Sequence, residues 1–276
     1  MEFYIPLVQN IANQVERDIP LTIGVNGAQG TGKSTLSEVI ALALEHQHKL
    51  RCAVLSIDDI YLTKEERTSL GKTVHPLLET RGVPGTHDVA MGIDLLQNLK
   101  KKQSTTLPVF DKATDDRAPK EKWKACSDKV DVIIFEGWCM GATPQDNEDL
   151  TEPCNELESS EDEDGKWRTF VNDQLREKYT ELFSMLDYLV MLKAPDFECV
   201  HEWRSVQEDK LRKKHAGTSE SLSNAIMNPD QIKRFISHYE RLTHWILKEM
   251  PQRADCVLEL TPDHRIQQIS YLKNDL

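Results

Sequence analysis

Residues Gly27-Ala28-Gln29-Gly30-Thr31-Gly32-Lys33-Ser34 follow the spacing Gly-x-x-x-x-Gly-Lys-(Ser/Thr). No other run limits so strongly what the chain can fold into. Its glycines let the backbone curl until successive N–H groups converge on an anion. Such a nest needs a strand that delivers the chain and a helix that carries it away. Both are legible. Leu21–Val25 is nearly all apolar, and Leu36, Val39, Ile40, Ala43 and Leu44 recur at helical spacing. The loop from Gly27 to Thr35 is therefore expected to cradle the phosphates of ATP. Lys33 would reach the β- and γ-phosphates, and Ser34 would offer its hydroxyl to Mg²⁺.

Four further runs resemble the first: Cys52–Ile57, Val130–Phe135, Tyr188–Leu192 and Cys256–Leu260. Near-continuous apolar runs suit strands buried on both faces of a parallel sheet. Helical patterns lie between them. Phe170, Val171, Leu175, Tyr179, Leu182 and Leu186 form one. Ile232, Phe235, Ile236, Tyr239, Leu242 and Ile246 form another, opened by Asn228-Pro229-Asp230. The alternation predicts an α/β three-layer P-loop fold, with a mainly parallel five-stranded sheet and helices on both faces. A chain of 276 residues suits a single domain over 1–276.

Composition narrows the function. A net charge of -12 repels phosphate backbones, so nucleic acid is not an expected partner. No apolar run is long enough to span a membrane. Met1 to Val15 lacks a basic segment followed by an apolar one, so a cytoplasmic location is expected. The six cysteines show neither C-x-x-C spacing nor a partnering histidine pattern, and read as scattered thiols.

Two stretches break the alternation. Residues 82–124 are rich in Pro, Lys and Asp, with a helical patch near Met91–Leu99; an excursion of this kind suits substrate contacts. Residues 142–166 include ten Asp or Glu between Ala142 and Gly165 and no Lys or Arg there, which reads as a solvated loop. Acids also stand where two strands end: Asp58 and Asp59 after the second, Glu136 after the third. Ligands of open α/β sheets bind beyond those ends. Phosphoryl transfer to a hydroxyl needs one carboxylate to take the proton and another near Mg²⁺. Asp58 or Asp59 could serve as the base, or merely cap the following helix.

Ser56-x-Asp58-Asp59-x-Tyr61 together with Phe135-Glu136-Gly137 resembles the uridine kinase, pantothenate kinase and phosphoribulokinase group of P-loop kinases. Four longer motifs are more specific: Arg81-Gly82-Val83-Pro84-Gly85-Thr86-His87-Asp88, Leu107-Pro108-Val109-Phe110-Asp111-Lys112, Glu136-Gly137-Trp138 and Trp203-Arg204-x-x-Gln207-Glu208. In that order they resemble the D-glycerate 3-kinase family, from Gly24 to about Leu260. The resemblance implies an ATP- and Mg²⁺-dependent kinase for a small hydroxyl-bearing metabolite, D-glycerate above others. It implies Asp58 as base, Glu136 and Ser34 at the metal, and Arg204 in a lid helix over 196–216. It also implies that the acidic insert is an ordered family element.

A glycerate site needs fixed positive charge for the carboxylate. Arg81, His87, Lys112 and Arg117 lie in the excursion and are the candidates, with Tyr61 beside them. Lys210, Lys213 and Lys214 read as a solvated helix end. His75 and His201 read as structural or solvent-facing, and Trp138 and Trp203 suit packing as well as a substrate wall. A kinase for another small alcohol is the nearest alternative. A P-loop switch or regulatory ATPase without a small substrate is the other, but the chain has no Asn-Lys pair for a guanine motif, Asp162 to Gly165 matches D-x-x-G only inside the acidic run, and a regulatory ATPase has no evident use for Asp58.

Overall fold

The computed structural model describes residues 2–16, 18–126, 129–215 and 227–272, except for the side chains of 210–215. Its elements run α1 (Tyr4–Gln14), β1 (Leu21–Gly27), α2 (Lys33–Ala43), β2 (Cys52–Ser56), α3 (Lys64–Thr73), α4 (Val89–Lys100), β3 (Thr105–Leu107), β4 (Phe110–Asp111), β5 (Asp116–Arg117), β6 (Lys124–Cys126) and β7 (Val132–Gly137). Then come α5 (Glu156–Glu161), α6 (Lys166–Gln174), α7 (Thr180–Phe183), β8 (Tyr188–Lys193), α8 (Phe197–His215), α9 (Pro229–Glu249), β9 (Cys256–Leu260) and β10 (Ile266–Tyr271).

The main sheet has the order β10-β9-β8-β1-β7-β2. Five strands are parallel, as the apolar runs require. The sixth, β10, pairs antiparallel with β9 and corrects the expected count of five. Its sequence Ile-Gln-Gln-Ile-Ser-Tyr is only half buried and lacks the continuous apolar signature. In β7, Val132 and Ile134 enter one core with α1, α2 and α8 residues, while Ile133 and Phe135 enter another with α4 and α9 residues. Period-two alternation thus gives the sheet two covered faces. The architecture is the α/β P-loop fold.

The stretch 82–124 is less of an excursion than its composition suggested. Asp88 caps α4 by accepting from the Met91 N–H at 3.1 Å, and Leu95, Leu96 and Leu99 bury against the sheet. Only the hairpin-like pairs β3–β6 and β4–β5 stand apart. The stretch expected as a lid is helical as α8, but residue 216 and the side chains of Lys210, Lys213 and Lys214 lie outside the described residues.

The helix expected across Phe170 to Leu186 is interrupted. Residues Leu175–Tyr179 form a π-helical turn between α6 and α7. Long α9 keeps its expected start: Asn228 and Gln231 form a reciprocal capping box, with Pro229 in the first turn.

The acidic insert is not a solvated loop. Glu158 and Asp162 are buried, and arginines from neighbouring helices meet them. Arg241 of α9 donates to both Glu158 oxygens, at 2.8 and 2.6 Å, and to the carbonyls of Asp149 and Glu152. Arg168 of α6 contacts Asp162 at 3.0 Å and donates to the Leu150 carbonyl at 2.7 Å. Burial pushes the Glu158 carboxyl up, but Arg241 and the Cys154 N–H outweigh it and hold it below its ordinary range. Breaking one partner of such a pair strands a buried charge, at a cost of about 3–5 kcal/mol. Arg241→Met should therefore lower the unfolding free energy by about 3 kcal/mol, and exposed Lys248→Met by under about 0.5 kcal/mol. Urea denaturation would measure both; equal, small effects would show the insert to be an appendage.

Candidate active site

The phosphate loop leaves β1 and closes on itself. Thr31 donates from Oγ1 to the Ala28 carbonyl at 2.8 Å. Gly30 and Gly32 take φ of 82° and 88°, a region open to glycine. At Gly30 a Cβ would also stand 2.7 Å from the Cβ of Trp203. Lys33 opens α2, so its N-terminal N–H groups and side chain face the same space. Gln29, Gly30, Lys33 and Ser34 line a hollow of about 300 Å³.

The carboxyl ends of β2 and β7 supply the acids. Ser34 Oγ donates to Glu136 Oε1 at 2.9 Å. Glu136 is buried, and its Oε2 has no partner among the described residues. A hydroxyl beside a carboxylate with an open oxygen is a donor set suited to Mg²⁺, a hard cation that keeps waters and phosphate ligands. Among the described residues no group of three His, Cys, Asp or Glu gathers as a closed metal cage.

Asp58 lies in the turn Ile57–Ile60 after β2 and lines the hollow. Tyr61 donates from its hydroxyl to Asp58 Oδ1 at 2.9 Å, and Lys112 reaches Oδ2 at 2.8 Å. Burial alone would raise the Asp58 carboxyl; Lys112, Lys33 and these hydrogen bonds together depress it far below its ordinary value. Asp59 turns away from the hollow. Its Oδ1 accepts from the Phe110 N–H at 3.1 Å, and burial raises its carboxyl.

Arg81, Lys112, Trp138, Arg204, Phe235 and Tyr239 complete the wall of the hollow. Arg81 pairs with Asp115, which also meets fully buried Arg67 at 3.0 Å. Two guanidiniums thus share one carboxylate, and of the two Arg81 lines the hollow. Arg204 pairs with Glu208 at 2.5 Å and lies 5.6 Å over the Phe235 ring. A second hollow of about 280 Å³ adjoins the first at Gly30, Lys33, Ser34 and Gln207 and runs along Thr35, Trp203, Val206 and His264.

Two candidates are not at the wall. His87 is buried behind Tyr61, its ring stacked on the tyrosine at 4.5 Å. The geometry corrects the expectation that it touches substrate: the hydrophobic bulk of Tyr61 stands between. Arg117 donates to the Tyr61 carbonyl at 2.9 Å and to Asp88 at 3.2 Å, and so ties backbone segments together instead of facing the hollow. Sequence reading missed Tyr239, Phe235 and Gln207. The apolar stripe of α9 marked its two aromatics as core, and nothing in periodicity separates a core face from a face that also lines a site.

No protein-family model matches the chain. Individual proteins do. An uncharacterized kinase, mug58, of Schizosaccharomyces pombe is 31% identical over 236 residues, covering 80% of this chain and 78% of that protein. The chloroplastic D-glycerate 3-kinase of Arabidopsis thaliana is 31% identical over 248 residues; they make up 86% of this chain but only 50% of the longer plant protein. Among solved structures, the D-glycerate 3-kinase of Cryptococcus neoformans superposes with a TM-score of 0.78 at 25% identity, over 98% of this chain and 97% of that one. Phosphate loop, strand-end acids, sheet order and these similarities converge: the chain belongs to the D-glycerate 3-kinase family of P-loop kinases, and it is an ATP-dependent kinase for a small molecule.

Proposed function

We propose that this kinase transfers the γ-phosphoryl of ATP to D-glycerate, giving 3-phosphoglycerate and ADP. The observation that carries the proposal is one hollow holding an ionised carboxylate, Asp58, together with the phosphate loop and the cations Arg81 and Lys112. A neutral alcohol has no use for that charge. A small hydroxy acid does.

In this reading the loop from Gly27 to Thr35 grips the triphosphate, and Lys33 lies along the β- and γ-phosphates. The nucleoside end takes the second hollow, beyond Thr35 and against Trp203, Val206 and His264. Ser34 and Glu136 hold Mg²⁺, directly or through its water. When bound, Mg²⁺ draws charge from the phosphate oxygens. Arg81 and Lys112 seat the carboxylate of the acceptor. Asp58 accepts the proton of the attacking hydroxyl, oriented by the Tyr61 hydroxyl. Arg204, on a helix that closes over the loop, meets charge developing on the transferred group.

Asp58→Asn keeps shape and removes the proton acceptor. The kcat should fall by ~10²–10⁴-fold while ATP binding persists. Asp59→Asn should cost stability more than kcat, because Asp59 anchors Phe110. Steady-state kinetics of both variants decide it, and a large kcat loss confined to Asp59→Asn would exchange the roles.

The two hollows make mirror-image predictions. Arg81→Ala should raise KM for D-glycerate by at least about tenfold, the worth of one charge-assisted hydrogen bond, and leave KM for ATP within about twofold. Val206→Asp places a charge beside the nucleoside and should do the reverse. Equal effects on both substrates in either variant would contradict the division of the site.

A further inference from the structure

The motif Arg81–Asp88 contributes only Arg81 to the hollow, so the rest of it has another task. Thr86 Oγ1 accepts from the Gly82 N–H at 3.0 Å and donates to the Val83 carbonyl at 2.7 Å, which closes a turn. The turn needs its glycine: a Cβ on Gly82, at φ 141°, would stand 2.0 Å from the Tyr239 hydroxyl. Beyond it, residues 86–88 lie beside 60–62. Leu62 N–H donates to the Thr86 carbonyl at 2.9 Å, and Asp88 N–H to the Ile60 carbonyl at 2.7 Å. The His87 ring then lies against Tyr61 at an interplanar angle of 20°, and Phe110 meets the same tyrosine edge-on at 5.2 Å. Tyr61 is thus held on two sides, and its hydroxyl holds Asp58.

The deeper end of this chain of contacts is Tyr179. Its hydroxyl is 2.6 Å from His87 Nδ1 and accepts from the Gly85 N–H at 3.0 Å. Burial pulls the His87 imidazole down to about 3, against an opposing pull from Asp58, so the ring is neutral. Nδ1 and the Tyr179 hydroxyl share a single hydrogen bond in either tautomer, and Nε2 is buried and has no partner among the described residues. A buried ring nitrogen left without a partner is destabilising. A phenylalanine would fill the same space without that cost. What it would lose is the bond to Tyr179. Tyr179 itself ends the π-helical turn Leu175–Tyr179, a local departure from α-helix of the kind that gathers at functional sites.

We propose that His87 and Tyr179 are positioning residues, which act through the ring and hydroxyl of Tyr61 to hold the Asp58 carboxylate in its working orientation. The proposal rests on Asp58 as the proton acceptor. Neither residue meets substrate.

The test is a cycle of tyrosine-to-phenylalanine substitutions, each of which removes one oxygen. Tyr179→Phe should lower kcat about tenfold, as small misplacements of a reacting group do, with KM for ATP unchanged. His87→Phe keeps the stack and loses the bond to Tyr179, so it should give a similar loss. In a Tyr61→Phe background, Tyr179→Phe should have no further effect on kcat, because the link to Asp58 is already cut. A merely structural role predicts the same fold-loss in both backgrounds, and that result overturns the proposal. So does a wild-type kcat in Tyr179→Phe. Asp58→Asn separates the two claims: a fully active Asp58→Asn enzyme removes the base reading, whereas an inactive one beside an unaltered Tyr179→Phe enzyme removes only this proposal.

Discussion

Val25 lies opposite Glu136, and Asn26 opposite Gly137, in the parallel pairing of β1 with β7. The rest of the site depends on that register. Parallel strands end on one edge, so the phosphate loop emerging from β1 and the acid emerging from β7 must meet there. Asn26 secures the meeting by donating to the Trp138 and Met140 carbonyls at 3.2 and 2.8 Å. Slipping the pairing by one residue would turn Glu136 to the other face, away from Ser34. The two apolar cores hold the register, because a slip would also exchange Ile133 and Phe135 for Val132 and Ile134.

Much of this was legible in the residues. The glycine spacing of the loop announces its backbone, since no other residue takes those φ values readily. The buried strands announced themselves as apolar runs. Asp58 and Glu136 could be placed because strand ends are where such folds bind ligands. What was not legible depended on long-range partners. The insert's ten acids looked solvated because the arginines that bury two of them lie on α6 and α9, outside it. The strand β10 escaped because its outer face is polar. His87 read as a substrate contact because its motif is close to the site in sequence, while the ring that screens it belongs to another segment.

The wall of the hollow shares one pattern. Arg81 lies 5.5 Å over the Phe110 ring and pairs with Asp115; Arg204 lies over Phe235 and pairs with Glu208. An arginine held this way presents its remaining N–H groups in a fixed fork, and little entropy is left to lose when an anion arrives. Glu208 Oε1 also accepts from the Met227 N–H at 2.8 Å, so the same carboxylate ties α8 to the start of α9. Orientation of the cations and closure of the fold are therefore served by the same carboxylates.

The proposed acceptor carries both a hydroxyl and a carboxylate. ADP release by the purified protein, measured with D-glycerate, L-glycerate, glycerol, uridine and pantothenate in parallel, tests it most directly. D-glycerate should give the highest kcat/KM, with glycerol poorer by at least about tenfold for want of one charge-assisted contact. A preference for glycerol or uridine over D-glycerate would contradict the account.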